Sequence, residues 1–329
     1  MNSLTPVLTG LARFGQRPAI VALGPEGPAI QTYAELARRV ELLAGGLVAA
    51  GLARGEAVAL FAPDSPPWIA AALAIVRAGG AVLPVDAQLG DETLAHVLAD
   101  SGARLVFTRA DRAERLARLA PEVRQILLDA DEDDPRGWQA LQAARAVELP
   151  PSQPADPAAL FYTSGTTGRP KGVPLSHANL AFQLDAIAAA GLLTSADRVA
   201  LPLPLHHVYP FVLGLLTPLA LGLPLVLPQA LTGPQVLRAL KEGEATVMVG
   251  VPRLYEAMLA GIEARVAARG AAAAALVRHL MALSRGLNRL GLDIGRLLFG
   301  RLLHARLAPR LRLLACGGSA LQQDTAARL

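Results

Sequence analysis

FYTSGTTGRPKGVPLSHANL, residues 161–180, joins the end of an apolar run, AALFYT, to a helix-starting Ser176. Between them lie an unbroken series of Ser, Thr and Gly from Thr163 to Gly168 and, three positions later, a lysine, Lys171. A loop this flexible costs conformational entropy that a structural turn does not need. Its hydroxyls and glycine N–H groups suit the wrapping of phosphate oxygens, with Lys171 answering their charge. A Walker A loop is a different object: it runs Gly-Lys-Ser/Thr straight into a helix, whereas here Pro170 precedes the lysine and VPL follows Gly172. The Gly-x-Gly-x-x-Gly fingerprint is absent, and Ser164 and Ser319 both have the wrong neighbours for a Gly-x-Ser-x-Gly elbow. What remains is a strand, an anion-binding flap with its lysine, an extended VPL and a helix; a plain polar surface loop is the alternative.

Outward from this loop, short apolar runs alternate with helical segments. PAIVAL (18–23) and AIQTY (29–33) precede Thr32-Tyr33-Ala34-Glu35, a capping-box pattern that opens a helix ending near Gly51. AVALFA (57–62) leads to Ser65 as N-cap, Pro66 in the first turn and Gly79-Gly80 as the stop. AVLPV (81–85), a helix near 91–101, RLVFT (104–108) and a further helix repeat the rhythm. After the loop it resumes with a helix over about 176–191, LPLVL (223–227), ATVMVGV (245–251) and LRLLACGG (311–318). The alternation predicts an α/β fold with a largely parallel sheet. Between about 129 and 159 the pattern breaks into acidic DADEDDPRGW and proline-rich LPPSQPADP. The expected organisation is therefore a first α/β lobe over 1–150 and a second over 151–329, the latter carrying the loop at 163–172 and a basic helical insertion at about 261–310.

With 329 residues, 53% of them hydrophobic, the chain can bury one large core or two. Its single cysteine, Cys316, excludes a disulfide framework or thiolate zinc site, suits a reducing compartment, and reads as a buried thiol at a strand end. The start, MNSLTPVLTG, lacks the pattern of a signal peptide, so the expected location is cytoplasmic. Charge is unevenly spread: residues 1–165 carry 14 basic and 19 acidic side chains, net −5, and residues 166–329 carry 17 and 8, net +9. Anions belong with the basic half. The stretch PFVLGLLTPLALGLPLVLP (210–228) approaches the length of a bilayer crossing, but Pro218, Gly222, Pro224 and Pro228 break it. A buried helix followed by a buried strand is the preferred reading.

TSGTTGRPKG resembles the signature of the adenylate-forming (AMP-binding) superfamily. QTYAELARRVELLAGGL, APDSPPWIAAALAIVRAGGAVLPVD, LPLPLHHVYPF, VGVPRLYEAM and LRLLACGGSAL are similar to further blocks of that family, in the family's order. The resemblance implies the two α/β lobes of the family's large N-terminal domain and an AMP-forming acid–CoA ligase that uses ATP, Mg2+ and coenzyme A. By the same resemblance, Thr163, Ser164, Gly165, Thr166, Thr167, Gly168 and Lys171 match positions that hold ATP phosphates, with Lys171 and Thr163 the catalytic pair. Magnesium is implied to ride mainly on those phosphates, with Thr163 as one further ligand. His207 matches the family histidine near the nucleotide and acyl pockets, with a gating role, and His206 reads as a bystander. Gly317, Gly318, Ser319 and Ala320 match the segment that passes the adenine. The HHVYP form and the basic insertion look most like long-chain fatty acyl-CoA synthetases, so a fatty acid is the first expected substrate, with aryl or amino acids as alternatives.

The family pattern continues beyond GGSAL with a Tyr-Gly-x-Thr-Glu-like block, a ribose-binding aspartate, a hinge and a small C-terminal domain bearing a lysine. None of these is in the sequence, which leads to three expectations: a truncated second lobe, little activity alone, and a complementing C-terminal chain as partner. A nucleotide- or acyl-binding remnant and a lipid-surface module are the alternatives. Ten arginines against one acid, Asp293, lie between Ala264 and Gln323. Arg278, Arg285, Arg289 and Arg296 would share a helix face suited to an anionic membrane surface, at the inner face of the membrane, although a solvated face is the plainer reading. Nucleic acid is not expected there, since aromatic side chains for base stacking are few.

Overall fold

The computed structural model describes residues 1–143, 147–149, 151–163, 168–268, 270, 275, 279–280, 283–284 and 308–326. After a short α1 (Thr5–Thr9), strands β1 (Pro18–Gly24) and β2 (Gly27–Thr32) lead into α2 (Tyr33–Ala49). The capping box forms as expected: the Thr32 hydroxyl accepts from Glu35 N at 3.2 Å and the Glu35 carboxylate accepts from Thr32 N at 2.8 Å. These bonds hold the Glu35 carboxyl below the usual range. Next come β3 (Ala57–Phe61), α3 (Pro66–Arg77), β4 (Ala81–Pro84), α4 (Asp91–Ser101), β5 (Leu105–Thr108), α5 (Ala110–Leu119) and β6 (Arg124–Leu127). Ser65 caps α3 through Trp68 N, and Gly79 turns the chain at φ 87°. β6 carries little sequence signal, because its four residues include Arg124 and Gln125; its parallel register with β5 makes it a strand.

Past the proline-rich connector lie β7 (Pro157–Thr163), β8 (Lys171–Ser176) and α6 (His177–Ala189), the last opened by a second capping box between Ser176 and Asn179. β9 (Val199–Ala200), a π-helical segment (Pro210–Leu216), α7 (Thr217–Leu221), β10 (Leu225–Leu227), α8 (Gly233–Glu242), β11 (Val247–Gly250), α9 (Pro252–Ala267) and β12 (Leu313–Cys316) complete the elements used below. The stretch weighed as a membrane crossing is thus a largely buried helical run ending in a buried strand. Among the described residues, no helix is long and apolar enough to cross a membrane.

The chain divides into two compact units, each assembled from separate segments. The first comprises Met1–Ile20, Ile30–Ser195 and Pro204–Leu223 and holds the sheet β6-β5-β3-β4-β7-β8. β3 to β7 are joined in parallel pairs and β8 returns antiparallel to β7. Composition suggests a lobe boundary near 150, but 147–149 and 151–163 on either side of it both belong to this unit, and β7 pairs with β4 at Val82↔Ala159. A connector to a distant lobe and one to a neighbouring strand have the same proline-rich composition, and only the pairing tells them apart. α3 is apolar on all sides and buried from Trp68 to Val76, with α2 packed along it. Phe61, Leu83, Leu94, Val97, Leu98 and Val106 form one cluster between the sheet and α4. Each such aliphatic side chain contributes roughly 1.5–3 kcal/mol by its burial.

The second unit, Val21–Ala29, Ala196–Leu203 and Pro224–Leu329, is built on the sheet β12-β11-β9-β10-β1-β2, with β12, β11, β9 and β10 parallel. Val21, Leu23, Val226, Leu240, Met248 and Tyr255 gather in its core. Buried Asp197, just before β9, accepts from Thr246 Oγ1 at 2.6 Å and Arg312 Nε at 2.7 Å, and so ties together the starts of three strands. The α/β class with largely parallel sheets is as the sequence predicts.

Candidate functional site

The hairpin of β7 and β8 carries the opening loop. Its register pairs Phe161 with Val173, Tyr162 with Gly172 and, last before the loop, Thr163 with Lys171. A hydroxyl and an ammonium therefore stand at directly opposed positions where the chain leaves the sheet. Thr163, Gly168 and Lys171 are exposed, and Lys171 has no carboxylate within 4.0 Å among the described residues. Gly168 adopts φ 127°, a conformation that side-chain-bearing residues rarely enter. Ser164, Gly165, Thr166 and Thr167 lie outside the described residues, as do Arg278, Arg285, Arg289 and Arg296 and most of the expected insertion at 261–310. The donors present at the hairpin suit phosphate oxygens, and the Thr163 hydroxyl suits one place in the shell of a phosphate-borne magnesium ion.

β3, β4 and β7 are adjacent and parallel, so Asp64, Asp86 and Thr163 follow or end their strands on one edge of the sheet. Ligands of open α/β sheets bind beyond such carboxyl ends. The histidine segment reaches this edge: Leu205 N donates to Asp64 Oδ2 at 3.0 Å, and His206 Nε2 lies 3.8 Å from Asp86 Oδ2. The rings of His206 and His207 stand 4.3 Å apart. His207 is exposed, and half-buried His206, which the sequence marks as the bystander, is the one beside a carboxylate. Burial first, and then His207, hold the His206 imidazole below its ordinary pKa, with Asp86 opposing. Sequence reasoning missed Asp64 and Asp86, because a lone aspartate after a strand has no signature until the strand's neighbours are known.

Burial pushes the Asp64 carboxyl up to about 7, against the bond from Leu205 N. A carboxyl raised in the folded state binds its proton more tightly than in the unfolded chain, so stability falls as pH rises from the ordinary range near 4 to about 7 and levels off above it. Asp64→Asn keeps an acceptor for Leu205 N but cannot ionise. We expect it to melt above wild type at pH 8 and near wild type at pH 4.5. Thermal melts across this range check this, and a pH-independent difference would contradict it.

In the second unit, Gly317 N donates to Gly250 O at 3.2 Å just beyond β12, and Gly318 turns the chain at φ 80°. Ser319 and Ala320 are exposed. Cys316 ends β12 as expected, but it is exposed rather than buried, since β12 is the edge strand of its sheet. What burial it has raises its thiol pKa, which favours the thiol over the thiolate.

The sequence profile of the AMP-binding enzyme family matches residues 9–329. A feruloyl-CoA synthase of Amycolatopsis is 36% identical over 251 residues, 75% of this chain and 49% of that protein. An oxalate–CoA ligase of Arabidopsis thaliana is 33% identical over 268 residues, 78% of this chain and 52% of that protein. The crystal structure of the N-terminal domain of FACL13 from Mycobacterium tuberculosis superposes with a TM-score of 0.75 over 99% of this chain and 72% of that one, at 22% identity, a likeness of fold. The chain spans about half the length of the two curated relatives.

Proposed function

The chain belongs to the AMP-binding enzyme family, and on that premise we propose that it supplies the phosphate-handling part of an AMP-forming acid–CoA ligase. In that reaction the carboxylate attacks the α-phosphorus of Mg-ATP, giving an acyl-adenylate and pyrophosphate. The thiol of coenzyme A then attacks the acyl carbonyl and AMP departs. The observation that carries the reading is the opposition of Thr163 and Lys171 at the mouth of the β7–β8 loop. In this reading the Thr163 hydroxyl and the Lys171 ammonium, which has no carboxylate within ion-pair distance among the described residues, answer the negative charge that develops on the leaving pyrophosphate. Thr163, Gly168 and Lys171, with Ser164, Gly165, Thr166 and Thr167 between them, hold the phosphates in this reading. His207 gates the acyl side, and Gly317, Gly318, Ser319 and Ala320 pass the adenine.

For the acid, the HHVYP form of the histidine segment supports a fatty acid, while the names of the two curated relatives support an aryl or a small dicarboxylic acid. A test of both points is acid-dependent ATP–pyrophosphate exchange with palmitate, ferulate and oxalate. It is run on the 329-residue chain alone and with the remaining C-terminal part of a relative, from its Tyr-Gly-x-Thr-Glu-like block through its small C-terminal domain, added as a second polypeptide. We expect exchange above background only in the second case, with one acid class strongly preferred. Absence of Mg-ATP and pyrophosphate binding, together with absence of exchange in both cases, would overturn the reading.

A further inference from the structure

Glu92, His96 and Asp100 lie four residues apart on α4 and therefore share one stripe of that helix. All three reach the stems of the phosphate loop. The Tyr162 hydroxyl, on the strand entering the loop, donates to Asp100 Oδ2 at 2.6 Å. His96 Nε2 stands 3.0 Å from the carbonyl oxygen of Pro170, on the returning stem. A carbonyl only accepts, so the imidazole carries its proton on Nε2. Arg169 Nη2 lies 3.8 Å from Glu92 Oε1, both side chains well exposed, a contact of little energetic weight.

The helix is itself firmly held. Leu94, Val97 and Leu98 are buried in the core, and Asp91 at its first turn accepts from Arg115 Nε at 2.7 Å and Arg118 Nη2 at 2.8 Å on α5. The hairpin is shaped to meet it as well. Tyr162 is paired with Gly172, and a Cβ at Gly172 would stand 3.2 Å from the Tyr162 ring carbon Cζ, so only glycine lets the ring cross the hairpin toward Asp100 without displacement.

We propose that α4 is a clamp for the phosphate loop, and that His96 is a positioning residue which sets the direction of Lys171 through the Pro170 carbonyl. Pro170 has no N–H, and its ring fixes φ, so its carbonyl is its one backbone hydrogen-bonding group. The peptide plane that begins with this carbonyl ends with Lys171 N and Cα. Anchoring the oxygen anchors the point from which the lysine side chain departs. Asp100 does the same for the entering stem through Tyr162, so both stems of the loop are held from one helix. The inference rests on the phosphate reading of the loop, but the clamp itself can be tested without nucleotide.

The test compares His96→Phe, which keeps a ring and loses the donor, with His96→Gln, whose amide nitrogen can replace Nε2. Tyr162→Phe removes the other anchor. Amide hydrogen exchange of the 329-residue chain without nucleotide should show faster exchange at residues 171–173 in His96→Phe, recovery in His96→Gln, and faster exchange at 161–163 in Tyr162→Phe. Melting temperatures should change little. Affinity for inorganic pyrophosphate should fall roughly five- to tenfold in His96→Phe, as for the loss of one hydrogen bond, and return in His96→Gln. Unchanged exchange at 171–173 in His96→Phe, or equal losses in the Phe and Gln variants, would overturn the clamp. A wild-type chain that binds neither Mg-ATP nor pyrophosphate and supports no exchange when complemented, yet shows the expected amide-exchange pattern, would refute the phosphate reading and leave the clamp standing.

Discussion

Lys171→Ala is expected to weaken pyrophosphate-dependent chemistry roughly a hundredfold or more while leaving the melting temperature within about a degree of wild type. The two halves of this expectation come from the same geometry. Lys171 is exposed at the last register position of the β7–β8 hairpin, and no carboxylate among the described residues lies within ion-pair distance, so its removal takes nothing from the fold. In the proposed reading its charge answers the leaving pyrophosphate, and a preorganised contact to a developing anion is typically worth about 2–4 kcal/mol. Lys171→Arg should rescue poorly, because a planar fork cannot follow phosphate oxygens as a compact ammonium on a flexible stem does. Pyrophosphate affinity of the chain alone and exchange kinetics in the complemented system measure the first half, and calorimetry the second. Unchanged exchange with a lowered melting temperature would make the loop structural.

Gly46→Ala should destabilise the first unit by about 2 kcal/mol, although alanine is the better helix former by about 1 kcal/mol. Gly46 sits within α2, and a Cβ there would stand 1.6 Å from the carbonyl oxygen of Leu141 and 2.7 Å from its carbon. Those atoms are backbone, so no rotamer change relieves the contact. Segment 141–143 must lift from the helix, losing the bond from Ala143 N to Leu42 O, 2.9 Å, and the packing beneath it. Overpacking at about 1–3 kcal/mol and a lost hydrogen bond at about 1 kcal/mol together outweigh the gain in propensity. Thermal and urea denaturation of Gly46→Ala beside a Gly51→Ala control measure the difference. The control loses φ 86° but meets nothing within 4 Å, so its cost is conformational alone. A Gly46→Ala variant as stable as wild type would show that segment 141–143 does not pack on α2.

Much of the local structure was legible in residue order. Thr32 with Glu35, and Ser65 ahead of Pro66, fix two helix starts through bonds that span three residues, and both formed as expected. α4 fell at 91–101 as its spacing required, ended by Gly102 at φ 62°. β6 and β9 have no strand signal of their own, because four residues of mixed polarity and two apolar ones become strands only when a neighbour supplies the pairing. Cys316 was misplaced for a related reason: whether a strand-end thiol is buried depends on whether its strand is at the sheet edge, which is a property of strand order.

By itself the sequence determined the α/β alternation, the helix caps, the Ser-, Thr- and Gly-rich segment with its lysine, and the family. All of these rest on groups within a few residues of one another or on motifs read in order. Tertiary structure alone decided that β7 joins β4 rather than founding a separate lobe. That pairing places Thr163 on the same edge as Asp64 and Asp86, and puts the polar stripe of α4 against both stems of the loop. Such placements depend on strand pairing between residues about 80 positions apart, for which loop closure costs little more than for nearer partners, so local sequence gives no preference for one partner over another. The stripe Glu92, His96, Asp100 could be read from spacing four and four, but what it would face was settled only by packing.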